Sequence, residues 1–323
     1  MQSAKEFLTN GDTMIYLPEG LPALAELWQE GCPACGYDLH QPRFFEAWAK
    51  NIKAGTLRVL LLNLMPEKQQ TESDIAHVVA ATGHDVLLIP VKFSGQQYKN
   101  TSPGHMARFY LDTETVEGES FDGLIVTGAP LEHLDFAEVR YWPQLCRIMD
   151  WAVAHVGHTL YICWAAQAAL FHFYGIPKRM LPRKMFGIFS QEVQPCSTPL
   201  TEGLGPVFPM PVSRHSEVSA TDLAACGGGQ LTTMATSGES GVGIVCDASR
   251  RCVYVTGHLE YNRYTLHNEY QRDVNKGIPI DAPRHYYAES PEGRRMDWTW
   301  HPAAVRFYAN WLDLCAQTMP RTQ

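Results

Sequence analysis

The chain has 323 residues, 45% of them hydrophobic and 19% charged, and a formal net charge of −8. That mixture can bury a sizeable core, and the acidic balance argues against a nucleic-acid partner, which calls for a basic face. No apolar run approaches a membrane span and Met1–Glu6 leads into no signal-type apolar core, so a soluble cytoplasmic protein with no membrane partner is expected. Nine cysteines, mostly standing singly, read as reduced thiols rather than a disulfide framework. Cys32-Pro33-Ala34-Cys35 could be half of a zinc site or a redox pair. No second cluster at ligand spacing accompanies it, so no metal is expected and the pair reads as a turn.

Residues 1–56 read as an N-terminal arm, with Leu17-Pro18-Glu19-Gly20-Leu21-Pro22, a short helical pattern, the cysteine pair and a second helical pattern. Residues 57–323 read as a single α/β domain. Leu57–Leu64 is a continuous apolar run, as in a strand buried on both faces of a parallel sheet, and it ends at Met65-Pro66. A helical pattern follows over 67–82, then a strand from Asp85 to Val91 and a long polar segment from Lys92 to Pro103. Long loops of this kind in α/β domains tend to be functional. Phe121–Thr127 is the third strand, ending in Gly128-Ala129-Pro130-Leu131-Glu132, and residues 138–155 form a helix. Strands alternating with helices imply a parallel sheet with ligands beyond its carboxyl ends. After residue 175 the texture changes: 185–189, 207–212, 241–246 and 252–256 read as short strands added antiparallel. A charged helix over 265–276, a Pro- and aromatic-rich loop over 281–300 and an amphipathic helix over 301–318 complete the chain.

Thr159–Ile162 is apolar and β-rich, Ala165–Leu170 is Ala-rich and helical in propensity, and the switch falls at Cys163-Trp164. A nucleophile at a sharp strand-to-helix turn is the logic of a nucleophile elbow, and the helix N-terminus behind it favours a thiolate. Most free cysteines are buried core thiols, so the rest of the chain must decide. His258 and Glu260 follow a β-run. On an extended segment residues i and i+2 share a face, so imidazole and carboxylate can meet. Cys163, His258 and Glu260 then form a set suited to acyl transfer through a thioester, in which the carboxylate fixes the histidine tautomer. Backbone N–H groups at Trp164 and in the Leu64-Met65 turn are the candidate oxyanion donors.

These stretches resemble the homoserine O-acyltransferases of methionine biosynthesis: Asn63-Leu64-Met65-Pro66, Asn100-Thr101-Ser102-Pro103, Phe121 to Pro130, Tyr141-Trp142-Pro143, Ile162 to Ala168 and Gly257-His258-Leu259-Glu260-Tyr261. The resemblance implies a three-layer α/β fold with a mostly parallel central sheet, similar to class I glutamine amidotransferases. It also implies ping-pong transfer from an acyl-CoA. Cys163 would be the nucleophile, His258 the base and Glu260 the third member, while Lys184, Ser213 and Arg272 would line the amino-acid pocket. No cofactor is expected, acetyl-CoA being a co-substrate, and the partners are small molecules with a homodimer as the assembly. The family usually has Gly where this chain has Ala165, so an added methyl is expected to narrow the pocket or restrict the backbone.

By the same resemblance, the position after Gly-Ala-Pro-Leu tends to be Gly in succinyl enzymes and Glu in acetyl enzymes, and here it is Glu132. A carboxylate in the acyl pocket fills space and repels the free carboxylate of a succinyl group, which favours acetyl. L-homoserine O-acetyltransferase is the expected activity. L-serine as acceptor or succinyl-CoA as donor are the alternatives, since one methylene discriminates by only ~1–3 kcal/mol. An amidotransferase-like amidase, or a non-catalytic binding module on the same fold, are the remaining readings.

Overall fold

The computed structural model of the chain describes residues 13–41, 43–46, 52–195, 198–290 and 293–318. Strands β1 (Ile15–Pro18), β2 (Ala34–Tyr37), β3 (Leu57–Leu62), β4 (Val86–Lys92), β5 (Leu111–Asp112), β6 (Phe121–Val126) and β7 (Val156–Ile162) run parallel in one sheet. Strands β8 (Arg179–Val193), β9 (Val207–Glu217), β10 (Leu231–Ser237), β11 (Gly241–Asp247) and β12 (Cys252–Val255) extend it to twelve. The order is β2-β1-β4-β3-β6-β7-β12-β11-β10-β8-β9, with β5 on the far end of β4. β12 lies parallel to β7, and the ladder turns antiparallel from β11 onward.

Because side chains alternate across a strand, the apolar run of β3 divides between two cores. Val59 and Leu61 face one, with Leu24, Ile75, Val79, Phe307 and Trp311 from helices Pro22–Gln29, Lys68–Ala80 and His301–Thr318. Leu60 and Leu62 face the other, with Leu145, Met149, Ala168 and Leu170 from helices Trp142–His155 and Trp164–Tyr174. The result is a three-layer α/β sandwich, as the alternation of elements predicts.

Three expectations need correction, and one strand was not foreseen. Residues 15–37 are not an arm: β1 pairs with β4 through Ile15–Val86 and Tyr16–Leu87, and β2 pairs with β1. The physical reason is that β4 is buried from Val86 to Val91, and an exposed apolar edge there would invite association. The second helical pattern of that segment falls partly outside the described residues. The helix expected over 138–155 begins at Trp142, because Pro143 favours the first turn and Asp135 with Glu138 closes a separate 3₁₀ turn in a capping box. The 281–300 loop holds a hairpin, Tyr287–Ser290 with Gly293–Met296. β10 has no apolar run in sequence, and its Thr-rich alternation hides it.

The pairing of β7 with its neighbours positions the chemistry. Ile162 is in register with Val255 on one side, while Tyr161 is opposite Val126 and Leu62 is opposite Val126 further along. The chain therefore leaves β3, β6, β7 and β12 at one edge of the sheet, delivering the turns that begin at Asn63, Gly128, Cys163 and Gly257 side by side.

Candidate active site

Cys163 leaves β7 with φ 52° and ψ −114°, a conformation costly for a residue with a Cβ, and Trp164 opens the helix. The bend is held from behind, since Cys163 N donates to Val255 O at 2.7 Å. Cys163 is buried, and its Sγ lies 3.8 Å from the Ser213 carbonyl and is hydrogen-bonded to His258. Two glycines make this approach possible. A Cβ at Gly128 would sit 3.3 Å from Cys163 Cβ and 3.7 Å from His258 Cε1, and one at Gly257 would lie 2.5 Å from Pro211 O.

His258 Nδ1 meets Glu260 Oε1 at 2.7 Å, both side chains being buried, and Tyr261 stacks on the imidazole with ring centroids 4.2 Å apart. The pair lies in a turn past β12, not on an extended segment, and the turn folds the two side chains together. Burial opposes a charge on His258, but Cys163 and Glu260 together overcome it and raise its pKa well above the ordinary value. Among the described residues, Glu260 Oε2 has no hydrogen-bond partner. Asp74, also buried, accepts from Asn262 Nδ2 at 2.7 Å, Gln70 Nε2 at 2.9 Å and Thr265 Oγ1 at 3.1 Å. Its pKa is pushed up to about 7, first by burial and then by Glu260.

Cys163 and His258 open into a cavity of about 820 Å³ that Glu132, Lys184, Ser213 and Arg272 also line, so all four expected pocket residues reach it. Lys184 and Ser213 come from the paired strands β8 and β9, where the register shifts between Met180 and Met185. Helix Thr265–Asn275 contributes Arg272 and a residue the sequence reading missed, Glu269. Glu269 Oε1 accepts from Lys184 Nζ at 2.6 Å and Ser213 Oγ at 2.9 Å, with Arg272 Nη2 3.7 Å away. The i, i+3 spacing of Glu269 and Arg272 on a charged helix was the available signal. Arg272 also pairs with Asp273, Nε to Oδ1 at 2.8 Å.

The two oxyanion candidates separate. Trp164 N–H is the first of its helix and has no intrahelical acceptor. Leu64 N–H is already given to Thr127 Oγ1 at 2.8 Å and Met65 N–H to Asn63 Oδ1 at 3.1 Å, so the 64–65 turn is tied inward. The Gly128-Ala129 backbone is what passes against Cys163 instead. Ala165 does not narrow the cavity either: its methyl packs in the second core with Ala166 and Ala168. Arg214, unmarked in sequence, is fully buried behind the nucleophile, giving Nη1 to Thr256 O at 3.1 Å and Oγ1 at 3.0 Å and Nη2 to Ser240 O. Cys32 and Cys35 are free thiols far along the sheet, at the entrance to and within β2. Among the described residues, no group of three His, Cys, Asp or Glu side chains could hold a metal ion, and no helix is long and apolar enough to cross a membrane.

The chain is 42% identical over 299 residues to a homoserine O-acetyltransferase of Azobacteroides pseudotrichonymphae genomovar. CFP2, covering 93% of this chain and 92% of that protein. It is 40% identical over 307 residues to the homoserine O-acetyltransferase of Cereibacter sphaeroides (strain ATCC 17025 / ATH 2.4.3), covering 95% and 97%. Among solved structures, a glutamine amido transferase from Methylobacillus flagellatus shares the fold at a TM-score of 0.52 and 12% identity, over 84% of this chain and 99% of that one. The sequence profile of the homoserine O-succinyltransferase family matches residues 37–321, and with relatives this similar along almost the whole length, the chain belongs to that family.

Proposed function

We propose that this protein is an L-homoserine O-acetyltransferase that carries the acetyl group on Cys163, in the cytoplasm and in the service of methionine biosynthesis. The observation that carries the reading is the cavity in which Cys163 and His258 stand beside Glu132, Glu269 and Arg272. The relatives' names supply the substrate, and Glu132 supplies a physical reason for acetyl.

In the first half-reaction Cys163 Sγ attacks the thioester carbonyl, and the charge that develops on oxygen is met by Trp164 N–H and the Gly128-Ala129 backbone. His258, held by Glu260, protonates the departing thiolate, leaving an acetyl-cysteine. In the second, the same imidazole takes the proton from the acceptor hydroxyl, which attacks the acyl carbon. The proton returns to Cys163 as the bond to sulfur breaks. The acceptor is a zwitterion, and the pocket is built as a pair of opposite charges: Arg272 suits an α-carboxylate and Glu269 an α-ammonium. Lys184 and Ser213 hold the Glu269 carboxylate in place.

The test is a mass-spectrometric product assay pairing acetyl- or succinyl-CoA with homoserine or serine. O-acetylhomoserine as the dominant product is expected. O-acetylserine would move the acceptor, and O-succinylhomoserine would remove the role given to Glu132.

A further inference from the structure

In the reading above the cavity at Cys163 takes the acyl group and the acceptor, and the long carrier arm of the donor also needs a path to Cys163. A second cavity of about 280 Å³ adjoins it. Met65, Pro66, Ala129 and Pro130 line both, so the inner end of the second cavity lies at the turns that flank the nucleophile. Its walls mix apolar groups, Phe93 and Leu131 among them, with the amide side chains of Gln96 and Gln97.

Two further features indicate what such a slot accepts. Lys68 lines it and is only 3% exposed, and its ammonium spends two donors on Asn63 O at 2.7 Å and Met65 O at 2.6 Å. One N–H remains, and the same ammonium lies 4.9 Å from the centroid of Tyr98, another wall residue. A buried donor left over beside an apolar slot calls for an acceptor, and an amide carbonyl can supply one. Lys99, exposed, and Lys92, paired with Asp112, also line this cavity. Asp112 neutralises Lys92, so Lys99 is the exposed cation on this lining suited to a phosphate.

We propose that the second cavity is the channel for the pantetheine arm of the acyl donor, with Lys99 meeting the diphosphate at its outer end. The occupant is a narrow chain of two secondary amides and a gem-dimethyl group, which matches an apolar slot studded with amides, with Lys99 exposed on its lining. The proposal rests on the acyl-CoA reading above. It also divides the traffic: the carrier lies on the Met65-Pro66 side of Cys163 and the amino acid on the Arg272 side, so the leaving thiol departs without crossing the acceptor pocket.

The experiment compares acetyl-CoA with acetyl-N-acetylcysteamine, which keeps only the innermost amide of the arm, in the wild type, Leu131→Trp and Lys99→Glu. Leu131→Trp fills the slot and Lys99→Glu reverses its outer charge. Both should lower kcat/KM for acetyl-CoA by about tenfold or more while leaving the short thioester and the homoserine KM within about twofold. Equal losses with both donors, or no loss with acetyl-CoA, would overturn the channel. Calorimetric binding of free CoA gives a readout independent of turnover. The wild type should bind it and Lys99→Glu should bind about tenfold more weakly, whereas no binding, or equal binding, contradicts the proposal. A wild type that binds CoA but is acylated by neither thioester would count against the acyl-transfer reading and not against the channel.

Discussion

Glu132 and Glu269 are carboxylates on one cavity, and what stands opposite each decides its use. Glu269 is held by Lys184 and Ser213, which in the proposed function fixes its carboxylate for an incoming ammonium. Glu132 is buried, and His215 is close enough to feel its charge. A second free carboxylate brought there, as on a succinyl group, meets a like charge in a partly desolvated site, at a cost of several kcal/mol. Glu132→Gly should therefore raise the succinyl-to-acetyl ratio of kcat/KM by orders of magnitude. Glu132→Gln, which keeps the volume, assigns the cause: recovery in Gln points to charge, and recovery only in Gly points to space. Arg272→Ala should raise the KM for homoserine about tenfold or more and leave that for acetyl-CoA nearly unchanged, because in the proposed pocket the guanidinium faces the acceptor carboxylate. Equal effects on both substrates would take Arg272 out of the acceptor site.

At the scale of elements, Asp74 ties helix Lys68–Ala80 to the turn and helix that follow His258, through Asn262 and Thr265. This tie carries a pH signature. The folded chain keeps a proton on Asp74 up to about 7, whereas an unfolded aspartate loses it near ~3.9. Between those values the native state binds the extra proton, so stability is greatest below the unfolded pKa and falls as pH rises through the folded one. From pH ~5 to ~8 the loss is roughly 2–3 kcal/mol, and Asp74→Asn should abolish it. Urea unfolding at the two pH values checks this, and an unchanged slope in the variant would contradict it. Cys163 and His258-x-Glu260 were legible because a strand-to-helix switch and a post-strand pair are local patterns. Asp74 and Glu269 were not, since each looks like an ordinary polar helix residue until another segment, far along the chain, closes over it. The Leu64 N–H reads as free in the sequence for a related reason: Thr127, about sixty positions from Leu64, takes it.

Across the whole molecule, the parallel half delivers Cys163 and the antiparallel half delivers Lys184 and Ser213 to one cavity, and β12 joins the two halves in one sheet. The alternation of apolar runs from Leu57 to Ile162 made the parallel half readable. The N-terminal strands were not readable, because β1 and β2 are four residues each and hold Pro18 and Gly36. The C-terminal helix closes one face through Trp311, which is fully buried and lies where Gly123 leaves room, a Cβ there coming within 2.8 Å of its ring. Trp311→Ala should cost about 3–5 kcal/mol of unfolding free energy. A change under about 1 kcal/mol in urea titration would mean that the helix is not a structural lid on the sheet.

The account turns on Cys163 carrying the acyl group between two half-reactions, and intact-protein mass spectrometry reads that directly. Incubation with acetyl-CoA and no acceptor should add one acetyl group to the wild type and none to Cys163→Ser. Homoserine added afterwards should discharge the label as O-acetylhomoserine. Labelling at another residue, or full turnover by a wild type that never accumulates or exchanges a Cys163 acetyl group, would contradict the account.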